Sequence, residues 1–561
     1  MMSCSKSNPA LPDEDELSYL KDLREMLWTE GDHTFADQVG KERRADVSNV
    51  VLGKEYSISQ PPGNGKRGYI LTHADNIPSA QSPVELVVVS WSQKSSMPYN
   101  GGTYDYWDVH FKVLAYNQYG GVSESIRYDI PNPPWDPGYG SIPAIENYPC
   151  VTAHIKYDAY QQCPLLVVDV AFQRGCYYNG LGDQWTVCHA QYLQANPNSY
   201  DSLIKVGPQN GVDRIAPADP FHYYAIHPDI VYGTYWRRDL LPSWPWYIDY
   251  DIDYLMVVFE VVNKQTSQAS IVYAQSDIYP DNHYPLAWFY DLVSGATGST
   301  YPVIPQYPRI DAGIDCSDPR FENPQFYIAA VVWHSVYSAN PPLLTSVLFF
   351  NYKPFNVSPG PPHNYQRFLP EPFLFDQFDT TAAPNGLPYV EVDPMENVLD
   401  GHCPQNYTHM VWTRFMDQQG HNIKPYYTNS ELVMHNPPEY AIRRVANGGA
   451  DYREGLTTIS TYTDQTTNDP YDKVGTIQFI SAQNEATEYP VYSVDFWYVS
   501  QDPQTLHFEP PEPVSDSGNS SSDEFPWECG PSSAMRGGDV TFCAWTKKSD
   551  LTYYILWDHD L

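Results

Sequence analysis

A stretch in the middle of the chain decides the fold: it reads YPRIDAGID (307–315), then a polar turn containing proline, then QFYIAAVVW (325–333). From Arg309 to Asp315 apolar residues alternate with polar residues or glycine, which predicts a β-strand. The second segment is a nearly continuous apolar run, which predicts a strand buried on both faces. Together the two segments predict an antiparallel hairpin.

The same two-strand unit recurs along the chain. Seven first strands are predicted: GYILTHAD (68–75), CVTAHIKYD (150–158), DRIAPAD (213–219), RIDAGID (309–315), YVEVD (389–393), YAIRRVAN (440–447) and SSAMRGG (532–538). Each precedes an apolar second strand: ELVVVSW (85–91), LLVVDVAF (165–172), DIVYGTYW (229–236), FYIAAVVW (326–333), THMVWTRF (408–415), LTTISTY (456–462) and DVTFCAW (539–545). Repeats of this kind predict a β-propeller, a closed ring of small antiparallel sheets called blades.

The expected fold class is all-β, a single seven-bladed β-propeller over residues 47–561, with six or eight blades as the alternatives. The units are longer than the roughly 40 to 50 residues of compact propeller repeats, so we expect long loop insertions. The sequence ends directly after the third strand of the seventh unit. We therefore expect the segment 47–59 to add the missing outer strand and close the ring.

Residues 1–46 are predicted to form an N-terminal tail with a short amphipathic helix. Within 13–30, leucines recur at helical spacing from Leu17 to Leu27, with acidic residues in front as the helix dipole prefers. We expect this helical arm to lie against the outside of the main domain.

The first residues favour the cell surface. Cys4 and the polar, proline-containing and acidic residues after it resemble the region around the lipidated cysteine of bacterial surface lipoproteins. This predicts a lipid anchor at Cys4 and a secreted or surface-attached protein, that is, an extracellular or cell-surface location. The alternative is a free cysteine in a disordered tail.

Composition narrows the classes of partner. The chain has 32 Lys plus Arg against 68 Asp plus Glu, a net charge of −36, so duplex nucleic acid is excluded as an expected partner. No apolar run approaches the roughly 18 residues of a membrane helix, so no transmembrane segment is predicted. The 51 Pro, 33 Gly and 15% aromatic residues fit a strand-and-turn protein.

Nine cysteines are present, and an even number remains when Cys4 is set aside. Three pairs lie close enough in sequence to bridge hairpins, although spacing does not fix the connectivity: Cys150 with Cys163, Cys176 with Cys188, and Cys529 with Cys543. No CxxC spacing occurs, and we expect neither a metal site nor a cofactor.

Strands that end in Ala-x-Asp, followed by a turn and an apolar strand ending in Trp, are similar to the degenerate repeats of sialidase-like propellers. The resemblance covers the architecture of about 500 residues. The Ser-x-Asp-x-Gly-x-x-Trp turn motif of sialidases is absent, so the resemblance implies a propeller and does not imply sialidase activity.

Polar residues in the predicted first strands fall into two groups. Aspartates recur at the strand ends, at Asp75, Asp158, Asp219, Asp315 and Asp393, and such repetition indicates a turn device that accepts backbone N–H groups. A second group does not repeat and is predicted to line the central cavity as a ligand-binding site: His154, Asp311, Glu391, Arg443 and Arg536. The alternative is that these are solvated ion pairs.

Clustered aromatic residues in the predicted loops, among them Tyr104, Trp135, Tyr223, Trp244 and Trp288, offer rigid contact area for sugars or protein surfaces. They fit equally well as packing for long loops. No catalytic motif is present. We therefore expect a non-catalytic binding protein that engages a glycan or protein partner through one propeller face.

The alternative function is a glycoside hydrolase or lyase that acts on a polar or anionic polysaccharide at the central channel. Asp311, Glu391 or Asp219 would serve as acid and base, and Arg443 or Arg536 would hold an anionic substrate. The sequence leaves open whether the protein is an enzyme.

Overall fold

The computed structural model describes residues 56–57, 64–73, 84–99, 101–117, 122–133, 143–158, 163–178, 182–207, 212–216, 222–240, 247–278, 288–294, 304–315, 326–340, 343–354, 367–379, 390–394, 408–415, 423–435, 443–444, 452–463, 475–485, 494–500, 512–513, 523–524, 532–536, 540–549 and 552–559. This part of the chain is nearly all β-strand, which confirms the all-β class. The predicted helix within 13–30 lies outside it.

The strands of the described residues form seven antiparallel sheets, and β1 (Tyr56–Ser57), which comes earliest in the chain, belongs to the last of them. Sheet 1 contains β2 (Asn64–His73), β3 (Val84–Tyr99), β4 (Gly102–Asn117), β5 (Val122–Glu124) and β6 (Tyr128–Asp129). Sheet 2 contains β7 (Ile145–Asp158), β8 (Cys163–Tyr178), β9 (Gly182–Gln194), β10 (Leu203–Val206) and β11 (Asp213–Ala216). Sheet 3 contains β12 (Tyr223–Leu240), β13 (Tyr247–Asn263), β14 (Ala269–Ile278) and β15 (Phe289–Leu292).

The remaining sheets repeat this arrangement. Sheet 4 contains β16 (Ile304–Asp315), β17 (Phe326–Asn340), β18 (Leu343–Pro354) and β19 (Phe373–Asp379). Sheet 5 contains β20 (Val390–Pro394), β21 (Thr408–Phe415), β22 (Ile423–Asn429) and β23 (Arg443–Arg444), and sheet 6 contains β24 (Tyr452–Thr463), β25 (Gly475–Glu485), β26 (Val494–Ser500) and β27 (Glu512–Pro513). Sheet 7 contains β28 (Asp523–Glu524), β29 (Ser532–Arg536), β30 (Val540–Ser549), β31 (Thr552–His559) and β1.

Helical structure in the described part is short. It consists of a 3-10 turn at Tyr200–Ser202 and the helix α1 (Ser430–His435). No helix in the described ranges combines the length and apolar character that a membrane span requires.

We call β2, β7, β12, β16, β20, β24 and β29 the first strands. Each contacts the first strand of the following sheet, and β29 contacts β2, so the contacts form a closed cycle. The strand β1 pairs antiparallel with β31, with Tyr56 opposite Trp557 and Ser57 opposite Leu556. It lies in the segment 47–59 to which the sequence analysis assigns the missing outer strand.

The core lies between neighbouring sheets rather than inside any one of them. In β17 the side chain of Val331 packs in a cluster with residues of sheet 3, whereas Val332 packs in a cluster with residues of sheet 5. Successive side chains of a strand point to opposite faces, so an apolar run buries both faces. Burial of one valine contributes about 1.5–3 kcal/mol, and this contribution recurs along the second strands.

Two predicted first strands are wrong. Within 213–219, the residues Asp213–Ala216 form β11, which pairs with β9 at the outer side of sheet 2, and the first strand of sheet 3 is β12. Within 440–447, Arg443–Arg444 form β23, the fourth strand of sheet 5. Short alternating segments look alike at the inner and outer edges of a sheet, because only the pairing partner distinguishes them.

Two of the cysteine pairs suggested by spacing are also wrong. Cys188 is a free, buried thiol, and it lies opposite Phe172 while Cys176 lies opposite Gln184. Cys150 lies opposite Ala171, eight residues along β8 from Cys163. At about 3.3 Å per residue these offsets far exceed the Cα separation that a disulfide permits. Cys529 lies outside the described residues.

Gly175 is required for close packing within sheet 2. It lies opposite Trp185, a buried residue whose indole ring covers it. A Cβ at position 175 would overlap both the Trp185 ring and the carbonyl oxygen of Gln184. The carbonyl belongs to the paired strand and cannot move without disturbing the sheet.

We therefore expect Gly175→Ala to destabilise the protein by about 2–3 kcal/mol, as measured by thermal and urea unfolding. The matched control is Gly101→Ala, where φ is +81° and no atom lies within 4 Å of the added Cβ. That variant carries only the left-handed backbone penalty of about 1 kcal/mol. Equal losses for the two variants would contradict the packing role of Gly175.

Candidate functional site

A backbone irregularity recurs in the first strands. In five sheets two residues of the first strand lie opposite one residue of the second, so the register shifts by one: between Gly65 and Gly68, Asn147 and Cys150, Ile226 and Asp229, Gln306 and Arg309, and Gly455 and Thr458. Such bulges redirect side chains and are frequent beside functional sites. Their repetition makes the bulge itself an architectural feature, so any function must come from the residues that occupy it.

Three adjacent bulges carry a ring and a proline. Tyr148, His227 and Tyr307 have φ of 48°, 50° and 50°, and a proline follows each of them. A left-handed backbone costs a non-glycine residue about 1–2 kcal/mol, and proline restricts the preceding residue further. Bulky residues in this region are rare, and strain that recurs at one place is a reason to look for function there.

The three rings touch in sequence. The Tyr148 and His227 centroids are 4.7 Å apart at 82°, and those of His227 and Tyr307 are 4.1 Å apart at 22°. Tyr148 and Tyr307 are half-buried, while His227 between them is buried. We call these three residues the aromatic arc; it spans sheets 2, 3 and 4.

Polar side chains of the second strands fix the arc in place. Glu260 accepts hydrogen bonds from His227 Nδ1, at 2.7 Å, and from the Tyr307 backbone N–H. Gln173 Oε1 accepts the His227 backbone N–H at 3.3 Å. Gln173 and Glu260 hold equivalent register positions, since each lies opposite the residue before its own sheet's bulge. Each thus binds the bulge of the next sheet and offsets part of its strain.

The first strands β7, β12 and β16 run parallel. Beyond the bulges, the Tyr232 N–H donates to Thr152 Oγ1 at 3.1 Å and the Ile310 N–H donates to an Asp229 carboxylate oxygen at 2.9 Å. On each of the three strands, the residue that makes the hydrogen bond comes after the residue whose ring touches its neighbour. Neighbouring first strands therefore run in the same direction. The three bulges therefore lie at one end of the set of first strands, which brings residues distant in sequence to one place.

A buried ion pair lies directly before the arc. Glu146, two residues before Tyr148, is fully buried and accepts a hydrogen bond from Arg174 Nε at 3.1 Å. Burial raises the pKa of Glu146 to about 8, although Arg174 lowers it, and Asp108 adds to the rise. This carboxyl group therefore changes charge near neutral pH.

The structure places the predicted binding residues on five different strands. His154 is buried between sheets 2 and 3, where its ring stacks on Tyr232 at 3.7 Å and its Nδ1 lies 3.8 Å from an Asp169 carboxylate oxygen. Asp169 also binds His189 Nε2 and Gln191 Nε2, each at 2.8 Å. His154 thus belongs to a buried polar network of sheet 2, and its ring contacts sheet 3 through Tyr232.

The other four lie on different strands. Asp311 is half-buried on β16 and accepts the Ala312 N–H at 2.8 Å, and Glu391 is placed on the neighbouring first strand β20. Arg536 ends β29 opposite Val540, next to the hairpin. Arg443 lies on β23, at the far edge of sheet 5 from β20, so its assignment to a first strand is wrong.

Several aromatic residues predicted as loop contacts lie in strands or pack against sheets. Tyr104 is in β4, and Tyr223 is at the start of β12. Trp288 packs against the cluster between sheets 2 and 3 and donates to Asp213 at 3.4 Å. Trp135 and Trp244 lie outside the described residues. Tyr223 packs against the same cluster, so the structure favours the packing interpretation for Tyr223 and Trp288.

The aromatic arc was missed by the sequence analysis, although a signal exists. An aromatic residue followed by proline begins the central part of three successive first strands. The same Tyr-Pro pair also occurs at 279–280, 284–285, 301–302 and 489–490, which lie outside the described residues.

No protein-family model matches the chain, and comparison with curated proteins gives no match. Similar solved structures include an unknown function protein from Dyadobacter fermentans, with 8% identity over 91% of this chain and 99% of that chain and a TM-score of 0.34. Another is MPT-4, a mannose phosphorylase from Leishmania mexicana in complex with phosphate ion, with 8% identity over 60% and 83% and a TM-score of 0.26. A third is xyloglucan PUL GH43B from Bacteroides ovatus, with 10% identity over 90% and 96% and a TM-score of 0.24. At these TM-scores the likenesses carry no functional argument, and the resemblance to sialidase-like repeats stays a prediction.

The strain at Tyr148 can be measured by comparing two truncations. Both Tyr148→Ala and Tyr148→Gly remove the ring, but only glycine relaxes the left-handed backbone. We expect the glycine variant to be more stable than the alanine variant by about 1 kcal/mol in urea unfolding. At the regular strand position Ala153, glycine should instead be the less stable residue. An alanine variant at 148 that matches or exceeds the glycine variant would contradict the strain.

The raised pKa of Glu146 predicts a pH dependence of stability. The folded-state pKa of about 8 exceeds the ordinary value of 4.5, so the folded protein binds more protons than the unfolded chain between these values. Stability should therefore fall as pH rises from about 5 to 8. Glu146→Gln should flatten this slope in melting curves, whatever its effect on the absolute Tm, and the exposed control Glu371→Gln should not. A slope that is unchanged in Glu146→Gln would count against the assignment.

Proposed function

We propose that the seven sheets are the blades of a seven-bladed β-propeller whose first strands surround the central channel. Three observations support the proposal: the closed cycle of contacts among first strands, the succession of the first four strands of sheets 1 to 6 in chain order, and the pairing of β1 with β31. In this arrangement the bulges lie on the channel wall near one mouth. The N-terminal helical arm and the division at residue 46 stay predictions.

The protein is, in this proposal, a non-catalytic binding protein that engages a glycan at the aromatic arc. The observation that carries it is the conjunction of three touching rings at three strained, equivalent positions. A strained backbone persists where surrounding contacts hold it in place, and strained residues cluster at ligand-binding sites. Ring faces supply rigid apolar area for the CH faces of sugars, and phenol groups at the edges can exchange hydrogen bonds with sugar hydroxyls.

Location outside the cell, with a lipid anchor at Cys4, belongs to the same proposal and rests on the sequence around that cysteine. A protein partner at the arc is the competing ligand class. Only two half-buried rings, Tyr148 and Tyr307, offer contact area at the arc. This favours a small or chain-like ligand over a protein surface, because standard protein interfaces bury about 800 Å² on each partner.

The hydrolase or lyase alternative keeps one supporting observation. Asp311 and Glu391 lie on neighbouring first strands, β16 and β20. Incubation of the full chain with the glycans that it binds, followed by chromatography of the products, separates the two functions. Release of shorter saccharides that stops in Asp311→Asn would establish the enzyme.

The binding proposal is tested on a glycan array with the full chain and with Tyr148→Gly and Tyr307→Gly. Glycine removes the ring while it relaxes the backbone, so fold and binding can be separated. We expect at least a tenfold loss of affinity for the bound glycans at a nearly unchanged Tm. The matched control is Phe289→Ala, an exposed ring on an outer strand. Wild-type binding by both glycine variants would place the ligand elsewhere.

A further inference from the structure

Several contacts within the aromatic arc hold the imidazole of His227 in one orientation. Its Nδ1 hydrogen-bonds Glu260 Oε1 at 2.7 Å, its ring stacks on Tyr307 with centroids 4.1 Å apart, and the Tyr148 ring meets it at 82°. Gln173 also accepts its backbone N–H at 3.3 Å. Both the ring and the backbone of this residue are therefore fixed by neighbours from three sheets.

The bond to Glu260 decides which ring nitrogen of His227 carries hydrogen. Glu260 Oε1 also accepts the Tyr307 backbone N–H, and an ionised carboxylate can only accept hydrogen bonds. The hydrogen of a neutral imidazole is assigned to Nδ1 on this basis. The second ring nitrogen, Nε2, is then a hydrogen-bond acceptor.

The Nε2 atom of His227 is available to a ligand. It makes no hydrogen bond to any residue that the structure describes, and the side chain keeps 10% of its surface exposed. The stacked Tyr307 ring and the Glu260 carboxylate occupy other parts of the imidazole surface. A ligand group that bonds Nε2 therefore also meets the arc, at a position whose geometry is set in advance.

A sugar hydroxyl is the kind of donor that suits this position. It can donate to Nε2 while the CH face of the same sugar packs on a tyrosine ring. An ionised carboxylate has no hydrogen to donate, and the net charge of −36 repels anionic ligands at long range. The arc therefore favours neutral sugars over acidic ones.

We propose that the ligand of the aromatic arc is a neutral saccharide that donates one ring hydroxyl to His227 Nε2. The inference rests on the proposed glycan-binding function and adds the class of sugar and the residue that determines specificity. A site that accepts a hydroxyl discriminates against an analogue without it, because the acceptor then loses its partner.

The first measurement compares mannotetraose and cellotetraose with tetramannuronate and tetraglucuronate, their counterparts in which each primary alcohol is oxidised to a carboxylate. We expect the full chain to bind at least one neutral form at least tenfold more tightly than its acidic counterpart. Monodeoxy derivatives of that neutral tetrasaccharide then locate the hydroxyl group. We expect at least one derivative to bind at least tenfold more weakly than the parent sugar.

The second measurement uses His227→Asn, which removes Nε2 and keeps the other contacts of the side chain. The asparagine amide nitrogen takes the place of Nδ1 beside Glu260, and asparagine tolerates the left-handed backbone. This variant should bind the parent sugar and the sensitive deoxy derivative equally, at a nearly unchanged Tm. His227→Gln returns an amide group near the position of Nε2 and should restore part of the difference.

The matched control is His110→Asn. His110 Nδ1 also bonds a carboxylate oxygen, that of Asp129 at 2.8 Å, but the residue lies on β4, the third strand of sheet 1. The control should keep the full difference between the parent sugar and the deoxy derivative.

The outcomes separate this inference from the proposed function. Failure of both neutral tetrasaccharides to bind, or equal or tighter binding of both acidic forms, overturns the neutral class. A difference between parent and deoxy sugar that is absent in the wild type, survives in His227→Asn or disappears in His110→Asn overturns the assignment to His227 Nε2. Glycan binding on the array stands in each of these cases.

The proposed function itself fails if no glycan on the array binds, or if Tyr148→Gly binds every glycan as the wild type does. Equal affinities in His227→Asn, with the difference retained in His110→Asn and partly restored in His227→Gln, support the inference. A role of His227 in folding alone would weaken both sugars by the same factor and leave their ratio unchanged, which overturns the inference.

Discussion

The structure depends on how the backbone N–H groups at the free edge of each first strand find hydrogen-bond acceptors. Among the described strands, each first strand pairs with its second strand on one side only, which leaves backbone N–H groups on the other side that cannot be buried without a partner. Side chains of the preceding sheet supply acceptors: Thr152 binds the Tyr232 N–H, and Asp229 binds the Ile310 N–H. These bonds fix the spacing and the relative direction of neighbouring sheets.

Side-chain acceptors from the preceding sheet also hold the bulge residues in place. Gln173 and Glu260 accept N–H groups from the bulge residues of the next sheet, and Glu260 also binds the His227 ring. Without such acceptors, a tyrosine before proline would have little reason to stay in the left-handed region. The arc is thus a product of contacts between sheets, and its strain is sustained by residues far away in the sequence.

Buried polar side chains of sheet 2, at its boundary with sheet 3, are also satisfied by hydrogen bonds. Asp169 is fully buried, yet it binds His189 and Gln191 and lies near His154. A buried carboxylate is costly unless neighbours satisfy it, and here the hydrogen-bond partners all come from sheet 2. His154 adds a contact to sheet 3 by stacking on Tyr232. His154 was predicted to face a ligand because it does not repeat along the chain. A residue that does not repeat can equally serve one particular interface between sheets.

The sequence by itself determined the all-β class and most of the second strands, because burial on both faces demands long apolar runs such as FYIAAVVW, and few other structures do. It also indicated most first strands by alternation, but it placed 213–219 and 440–447 wrongly. Inner and outer strands share the same local pattern and differ only in pairing partner. Tertiary structure alone decided the candidate site: Tyr148, His227 and Tyr307 lie in separate units and meet because parallel first strands bring their bulges to one end. The left-handed backbone at these residues is imposed by contacts between sheets, and no local sequence preference encodes it.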